Sequence, residues 1–209
     1  TLQPGDLIFK DVNGDGVIDE FDKRPLGYSS IMYAWNDVSG IKQPILSFGL
    51  NFGLEWKGID FAMDFAGASM NTYVPDWYMK WACSREMAGY ASTALDSWHH
   101  EDILDPTSPW VPGKFPAVSA KHPSARGEND FYTRNVNYIR LRNLVLGYTF
   151  PKRWTEKAKI QKARIYFEGT NLFCFDSLED YGVDPEIAYA NGIDYPQSRV
   201  FTVGFNLGF

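Results

Sequence analysis

The sequence predicts an all-β fold whose strands have one apolar face and one small or polar face. Three observations lead to this prediction. The chain ends in strict alternation, in which Phe201, Phe205 and Phe209 mark an apolar face and Thr, Gly or Asn fills the positions between. Short and long connections alternate between the predicted strands, as they do in transmembrane barrels. No apolar run approaches the ~18 residues of a membrane helix, so strands are the elements that could cross a bilayer.

Composition narrows the possible partners. The 209 residues carry a formal net charge of -6, which excludes the basic footprint of a nucleic-acid-binding protein. Cys83 and Cys174 are the only cysteines; they form no metal motif, and their spacing does not decide whether they pair. The chain begins at Thr1 without Met or a signal peptide, so we expect a processed product or a piece of something longer.

The first part of the chain predicts a loop followed by a hairpin. Residues 1–43 read as loop with one short strand at 6–10. Residues 44–67 read as a barrel hairpin, in which strands 44–56 and 59–66 are joined by a tight turn at Lys57 and Gly58. One face of this hairpin is apolar throughout and consists of Phe48, Leu50, Phe52, Leu54, Trp56, Ile59, Phe61, Met63 and Phe65.

A long connection is predicted at 68–134, where the alternation is lost. We expect a helix at 77–89 and a second near 93–100, followed by a Pro-rich stretch. A connection of this length is usually functional. Its aromatic residues could stack on sugar rings or contact a partner protein, or they could form the loop's own core or a membrane-interface belt. A loop core, a membrane-interface belt or contact with a partner protein is favoured over direct sugar binding. This applies to the four tryptophans of the connection, Trp77, Trp81, Trp98 and Trp110.

The last part of the chain, 135–209, predicts three further strands at 135–150, 162–173 and 198–209. The apolar phase slips within the first of them, which indicates a β-bulge near Asn143. Counting back from Phe209 places every short turn at the same end. Five strands cannot close, so a barrel reading makes this chain the C-terminal part of a larger barrel. The alternation places four charged side chains on the inner face: Arg140, Arg142, Arg164 and Glu168.

Residues 11–22, here called the acidic loop, have the ligand spacing of an EF-hand loop. Gly16 occupies the position of the sharp turn, and Val17 would offer its carbonyl oxygen. Asp22 stands where an EF-hand has Glu, so bidentate ligation is less certain. The alternative is a turn whose side chains hydrogen-bond locally. The predicted ligands of a structural Ca²⁺ are Asp11, Asn13, Asp15, Val17, Asp19 and Asp22.

No residue pattern predicts an enzyme. His99, His100, Glu101 and Asp102 are adjacent in sequence, and adjacent side chains rarely reach one metal ion together. No Ser/His/Asp set or phosphate-binding loop is present. Asp60 and Asp64 share a strand face, where solvated carboxylates explain them without catalysis.

Five blocks of sequence resemble the SusC/RagA-type TonB-dependent transporters, and they occur in the order of that family. The first is GDLIFKDVNGDGVID, which contains most of the acidic loop. The second is FGLNFGLEWKGID, around the first tight turn. The others are YIRLRNL with LGYTFP, RIYFEGTNLF and YPQSR. The blocks cover both ends of the chain and omit the 68–134 loop, which carries no family inference.

The resemblance implies a 22-stranded outer-membrane barrel with an N-terminal plug, of which this chain would supply about the last five strands with long extracellular loops containing short helices. Such transporters occur in Bacteroidota and import oligosaccharides or peptides. They are powered by TonB, which would act through the missing N-terminal region, and they work with a SusD-like surface lipoprotein as a lid. The bacterial outer membrane is the implied location.

A second reading remains open from the residues alone. A secreted, dockerin-like calcium-stabilised β-module that binds carbohydrate would also explain the acidic loop and the aromatic residues. A soluble sheet buries one apolar face, so the apolar strands do not decide between the two readings. The terminal Phe209 and the alternation of short and long connections favour the barrel.

Overall fold

The computed structural model describes residues 3–27, 31–32, 44–75, 92–117, 129–186, 195 and 197–209. The described strands are β1 (Ile31–Met32), β2 (Leu46–Trp56), β3 (Ile59–Tyr73), β4 (His99–His100), β5 (Trp110–Val111), β6 (Arg134–Thr149), β7 (Lys162–Asp176) and β8 (Val200–Gly208). The described helices are α1 (Lys152–Thr155) and short 3-10 helices at Glu20–Asp22, Ser92–Asp96, Glu156–Ala158 and Glu179–Tyr181. No helix in these ranges has the length and hydropathy needed to cross a membrane.

The chain divides into two compact units. The first, here called the sheet unit, comprises Pro44–Met70, Val136–Ser177 and Tyr195–Phe209. The second, here called the loop unit, comprises Thr1–Gln43, Asn71–Asn135 and Leu178–Asp194.

The sheet unit contains the five long strands that the alternation predicts. Their order is β2-β3-β6-β7-β8, and β2/β3, β6/β7 and β7/β8 pair antiparallel. The strand β3 extends beyond the predicted end at 66, because its small residues continue to pair with β2 as far as Ser69. Backbone pairing does not depend on apolar side chains, so a strand can extend beyond the residues whose apolar and polar alternation predicts it.

The predicted tight turn between β2 and β3 is confirmed. Lys57 and Gly58 both have positive φ, 48° and 89°, which is the signature of a type I′ hairpin turn. The Gly58 carbonyl accepts a 2.7 Å hydrogen bond from the amide of Thr149. A Cβ at Gly58 would lie 2.7 Å from the Thr149 carbonyl oxygen, so glycine is required here for space as well as for conformation.

The predicted bulge near Asn143 is confirmed in position, with its extra residue on the other strand. Leu141 pairs with Phe173 and Asn143 pairs with Thr170, so two steps along β6 face three steps along β7. Asn171 has a left-handed φ of 53°, which accommodates the additional residue in β7. The phase slip in β6 pointed to the right place, but sequence alone does not show which of two paired strands is longer.

The apolar faces of the two outer strands, β2 and β8, are exposed. The fraction exposed is 60% for Leu50 and 51% for Phe52 in β2, and it is 67% for both Val203 and Phe205 in β8. The same holds for their apolar neighbours Leu46, Phe48, Leu54, Trp56, Phe201, Leu207 and Phe209. A sheet that kept these side chains in water would lose the gain from burying them, about 1.5–3 kcal/mol for each.

The loop unit has an aromatic core of its own. Tyr73 is fully buried and its ring meets that of Tyr181 edge-on, with centroids 5.7 Å apart. Phe115 packs on the same Tyr181 ring at 6.2 Å. The Tyr181 hydroxyl donates a 3.0 Å hydrogen bond to the Tyr132 carbonyl. Nearby, Lys114 and Asp180 form an ion pair at 2.5 Å, which joins two distant segments of the chain.

Two local predictions in the loop unit are wrong or incomplete. Residues 6–10 form no strand, and Ile8 is 73% exposed. The helix expected near 93–100 is shorter, since the 3-10 helix Ser92–Asp96 gives way to β4. The helix predicted at 77–89 and Cys83 lie outside the described residues.

Candidate functional site

The polar face of the sheet unit carries an ion pair that spans three strands. Arg164 in β7 donates from Nε to Asp60 Oδ1 at 2.9 Å and from Nη2 to Asp60 Oδ2. Asp60 lies in β3, and β6 runs between these two strands. A bidentate pair of this kind fixes both side chains and holds three neighbouring strands together.

Two glycines provide room for this pair and for the ring beside it. A Cβ at Gly147 of β6 would collide with the Asp60 carboxylate and the Arg164 guanidinium. A Cβ at Gly204 of β8 would collide with the ring of Tyr166. The Arg164 guanidinium lies 4.9 Å from the Tyr166 ring centroid, a distance that permits a cation–π interaction. Charged and aromatic groups therefore lie flat along this face.

The other charged residues predicted on the inner face have different surroundings. Arg142 Nη1 donates a 2.9 Å hydrogen bond to Gln197 Oε1, so it helps to hold the segment that leads into β8. Arg140 is only 5% exposed, and it pairs across the ladder with Cys174. Glu168 is half-buried opposite Thr202.

The predicted metal ligands lie in one compact turn, and their side-chain oxygens accept hydrogen bonds from the turn's own backbone amides. Asp11 accepts hydrogen bonds from the amides of Gly14 and Gly16 at 2.6 and 2.8 Å. Asn13 accepts from the Asp15 amide at 2.9 Å, and Asp15 accepts from Val17 at 2.8 Å. Bonds of this kind are typical of Asx turns. They account for the shape of the loop without an ion.

Asp22 closes the turn from its far end. One oxygen of Asp22 accepts from the amide of Val12 at 2.7 Å, and the other accepts from Asp19 at 2.9 Å. Hydrogen bonds from Asp19 and Val12 hold the pKa of the Asp22 carboxyl below its usual range. No three His, Cys, Asp or Glu side chains converge as metal ligands within the described ranges. Ca²⁺ binding here stays a prediction from the spacing.

Two of the four tryptophans in the long connection fall within the described structure. Trp98 is half-buried and packs against the backbone of Gly5, where a Cβ would lie 2.5 Å from Trp98 Cγ. Trp110 in β5 is half-buried and lies against the His100 ring, with centroids 4.0 Å apart. Both therefore pack within the loop unit. Trp77 and Trp81 lie outside the described residues.

The two adjacent histidines belong to a small hairpin formed by β4 and β5. His99 Nδ1 lies 2.8 Å from the Ser97 carbonyl oxygen, and His100 Nδ1 lies 2.8 Å from that of Ser108. Strand pairing matches His99 with Val111 and His100 with Trp110. These contacts orient both imidazoles within the hairpin.

Sequence reasoning missed two features of the structure. The partnership of Asp60 with Arg164 required the order of the strands and the space above Gly147. The second feature is the tip of the β4–β5 hairpin, where Ile103 and Leu104 are 85% and 92% exposed. An adjacent apolar pair between Asp102 and Asp105 was the available signal.

Sequence comparison finds TonB-dependent receptors. No model of a known protein family matches the chain. TonB-dependent receptor P3 of Formosa agariphila is 28% identical over an alignment of 226 positions, which covers 99% of this chain and 19% of that protein. TonB-dependent receptor SusC of Bacteroides thetaiotaomicron is 26% identical over an alignment of 214 positions, which covers 99% of this chain and 18% of that protein. The chain thus spans about a fifth of the length of these curated relatives.

Structural comparison agrees with the sequence. The RagAB peptide importer in its 'closed-closed' state aligns with a TM-score of 0.58 at 24% identity, covering 80% of this chain and 17% of the matched chain. Its 'open-open' state aligns at 0.57 and 22%, with the same coverage. At this identity the match shows the fold alone, in which this chain corresponds to part of a β-barrel. Together the comparisons confirm the predicted resemblance of this chain to the SusC/RagA-type TonB-dependent transporters.

Proposed function

We propose that this chain is part of an outer-membrane importer of oligosaccharides or peptides that is driven by TonB. The observation that carries the proposal is the exposed apolar face of β2 and β8, opposite small and polar residues. Lipid is the solvent that suits the apolar face, and an aqueous or plugged interior suits the other. The sequence relatives, which are named TonB-dependent receptors, support the direction of the proposal.

The two outer strands need further partners under this proposal. Within the described sheet β2 and β8 each pair on one side, with β3 and β7 respectively. An unpaired backbone group in lipid costs several kcal/mol, so both edges must pair with additional strands. The length of the relatives, about five times that of this chain, is sufficient to supply them.

The partners implied by the resemblance belong to the same proposal. TonB would act on a plug contributed by the rest of the protein. A SusD-like lipoprotein would cover the outer mouth, and the similar solved structure is that of the RagAB peptide importer. The secreted calcium-stabilised module gains no support, because the relatives reported above are receptors.

Labelling of paired cysteine variants tests the membrane placement. In the intact protein with its native cysteines replaced by serine, Phe52→Cys faces lipid and Asn51→Cys faces the interior on the same strand. A lipid-dissolved maleimide should label the first and not the second. Equal labelling of both by a water-soluble maleimide, in protein extracted without detergent, would overturn the placement.

Uptake by cells tests the transport step. Cells with and without the intact protein are given a fluorescent oligosaccharide pool or a fluorescent peptide pool. We expect one pool to enter only when both the protein and TonB are present. Uptake that is unchanged when either is deleted, for both pools, would contradict the proposed function. The pool that enters distinguishes the two substrate classes.

A further inference from the structure

The tip of the β4–β5 hairpin is an ordered loop that carries two large, exposed apolar side chains. Ile103 and Leu104 are almost fully exposed, and they stand next to each other at residues 101–109, here called the tip loop. Loops that face water usually carry polar residues at such positions. An exposed apolar pair on an ordered loop is therefore a candidate contact for another protein.

Hydrogen bonds within the tip loop order the backbone that carries these side chains. Asp102 Oδ1 accepts from the Leu104 amide at 2.9 Å. Asp105 Oδ1 accepts from both the amide and the hydroxyl of Thr107, at 2.8 and 2.7 Å. The Ser108 hydroxyl accepts from the Asp102 amide at 3.1 Å and lies 2.8 Å from the Asp105 carbonyl oxygen.

The base of the tip loop is held as well. The Glu101 amide donates to the Pro109 carbonyl at 2.9 Å, and the His100 ring lies against Trp110 directly below. A loop that is ordered before binding loses little conformational entropy when a partner covers it. Apolar side chains presented in this way are efficient anchors at the centre of an interface.

The charge around the tip selects the kind of partner. Residues 99–111 contain Glu101, Asp102 and Asp105 and no Lys or Arg. The hydrogen bonds from Thr107 hold the pKa of the Asp105 carboxyl below its usual range, so this group is ionised at neutral pH. An acidic rim disfavours an anionic lipid surface and disfavours a second copy of the same tip. It favours an apolar pocket bordered by Lys or Arg.

We propose that Ile103 and Leu104 insert into an apolar pocket, bordered by basic side chains, on the lid lipoprotein. The identity of the partner as the lid rests on the proposed function, in which the long connection containing the tip loop lies outside the cell. The apolar pair supplies the contact, and the surrounding carboxylates set its orientation and its rate of formation.

A double variant with a matched control tests this inference. Ile103→Asp combined with Leu104→Asp places charge on both anchors. Leu95→Asp is the control, because Leu95 is 90% exposed in the same unit but lies outside the tip loop. The measurement is the affinity of the purified intact protein for the purified lid. We expect the double variant to weaken binding about tenfold or more and the control to leave it unchanged.

The opposite results overturn the inference. Unchanged lid affinity in the double variant would show that the tip does not contribute, and equal losses in the control would show that the effect is not specific to it. Both results leave the uptake and labelling tests unaffected, so failure of the inference and failure of the proposed function remain distinguishable.

A photo-crosslinker identifies what covers the tip. Benzoyl-phenylalanine replaces Leu104 in the intact protein in cells. An adduct with a lid peptide that contains Lys or Arg supports the inference. An adduct with this protein itself, or with lipid, overturns it.

Discussion

Arg164 on β7 reaches across β6 to pair with Asp60 on β3, and it passes directly over Gly147. The partners are 104 residues apart in the chain, so the contact depends on the complete order of three strands. Their side chains are 19% and 29% exposed, which limits screening by water. A methyl group at position 147 would occupy the space of the Asp60–Arg164 salt bridge, so the salt bridge requires glycine at this position.

Replacement of Gly147 should therefore disrupt the bridge. Gly147→Ala places a Cβ among the Asp60 and Arg164 side chains, and we expect it to destabilise the intact protein by about 1–3 kcal/mol through displacement of the pair. Gly53→Ala is the control, because nothing lies within 4 Å of a Cβ at that position of β2. Heat-dependent loss of the folded band in detergent gels measures the difference. Equal thermal stability of the two variants would contradict the prediction.

Coupling between the two charged residues can be measured separately from the glycine. A double-mutant cycle of Asp60→Asn and Arg164→Gln should give a coupling free energy of about 1–3 kcal/mol, because each single change leaves a partly buried charge without its partner. The double variant should be less destabilised than the sum of the singles. Strict additivity would show that the pair contributes no stability of its own. Thermal denaturation of the four proteins gives the cycle.

Alternation and turn chemistry were enough to predict the sheet. Period-two apolar patterns identified the five long strands, and Lys57 with Gly58 predicted the tight turn. The phase slip near Asn143 located the bulge. These features are local, so a single sequence reports them directly. The prediction of a strand at 6–10 was wrong, because strand pairing is a property of two segments and one segment's pattern does not show it.

The candidate sites were less accessible to sequence reasoning. The bridge between Asp60 and Arg164 is invisible until β3, β6 and β7 are placed side by side. The sequence carried no signal that distinguishes packing from partner contact for Trp98 and Trp110, and in the structure they lie against Gly5 and His100 respectively. An ion-binding loop and a turn held by its own hydrogen bonds use the same residue types at the same spacing, so the sequence of the acidic loop does not distinguish them.

Addition of calcium should show whether the acidic loop binds an ion or is a turn held only by its own hydrogen bonds. If the spacing prediction holds, Ca²⁺ cross-links the turn and slows cleavage within residues 11–22 by an added protease, and a chelator reverses the effect. Asp15→Ala should abolish the response. Asp102→Ala is the control, since Asp102 makes a similar side-chain bond to backbone in another loop. Equal cleavage with calcium and with chelator, together with no heat of binding, would show that the turn's own hydrogen bonds suffice.

The loop unit should lose stability at high pH through Tyr132. Burial raises the pKa of Tyr132 to about 12, whereas an unfolded tyrosine titrates near 10. Between these values the unfolded form has released its proton and the folded form has not, so ionisation favours unfolding. Stability should therefore be independent of this group below about pH 10 and fall by up to about 2 kcal/mol as the pH rises to about 12.

Phenolate absorbance checks this directly in the intact protein. The difference between the titrations of the unaltered protein and Tyr132→Phe should have its midpoint near pH 12, and the same difference in denaturant should lie near 10. Because Tyr181 donates to the Tyr132 carbonyl and not to its hydroxyl, the phenylalanine variant keeps that bond. A midpoint near 10 in the folded protein would mean that the Tyr132 hydroxyl meets water, and that this core is open.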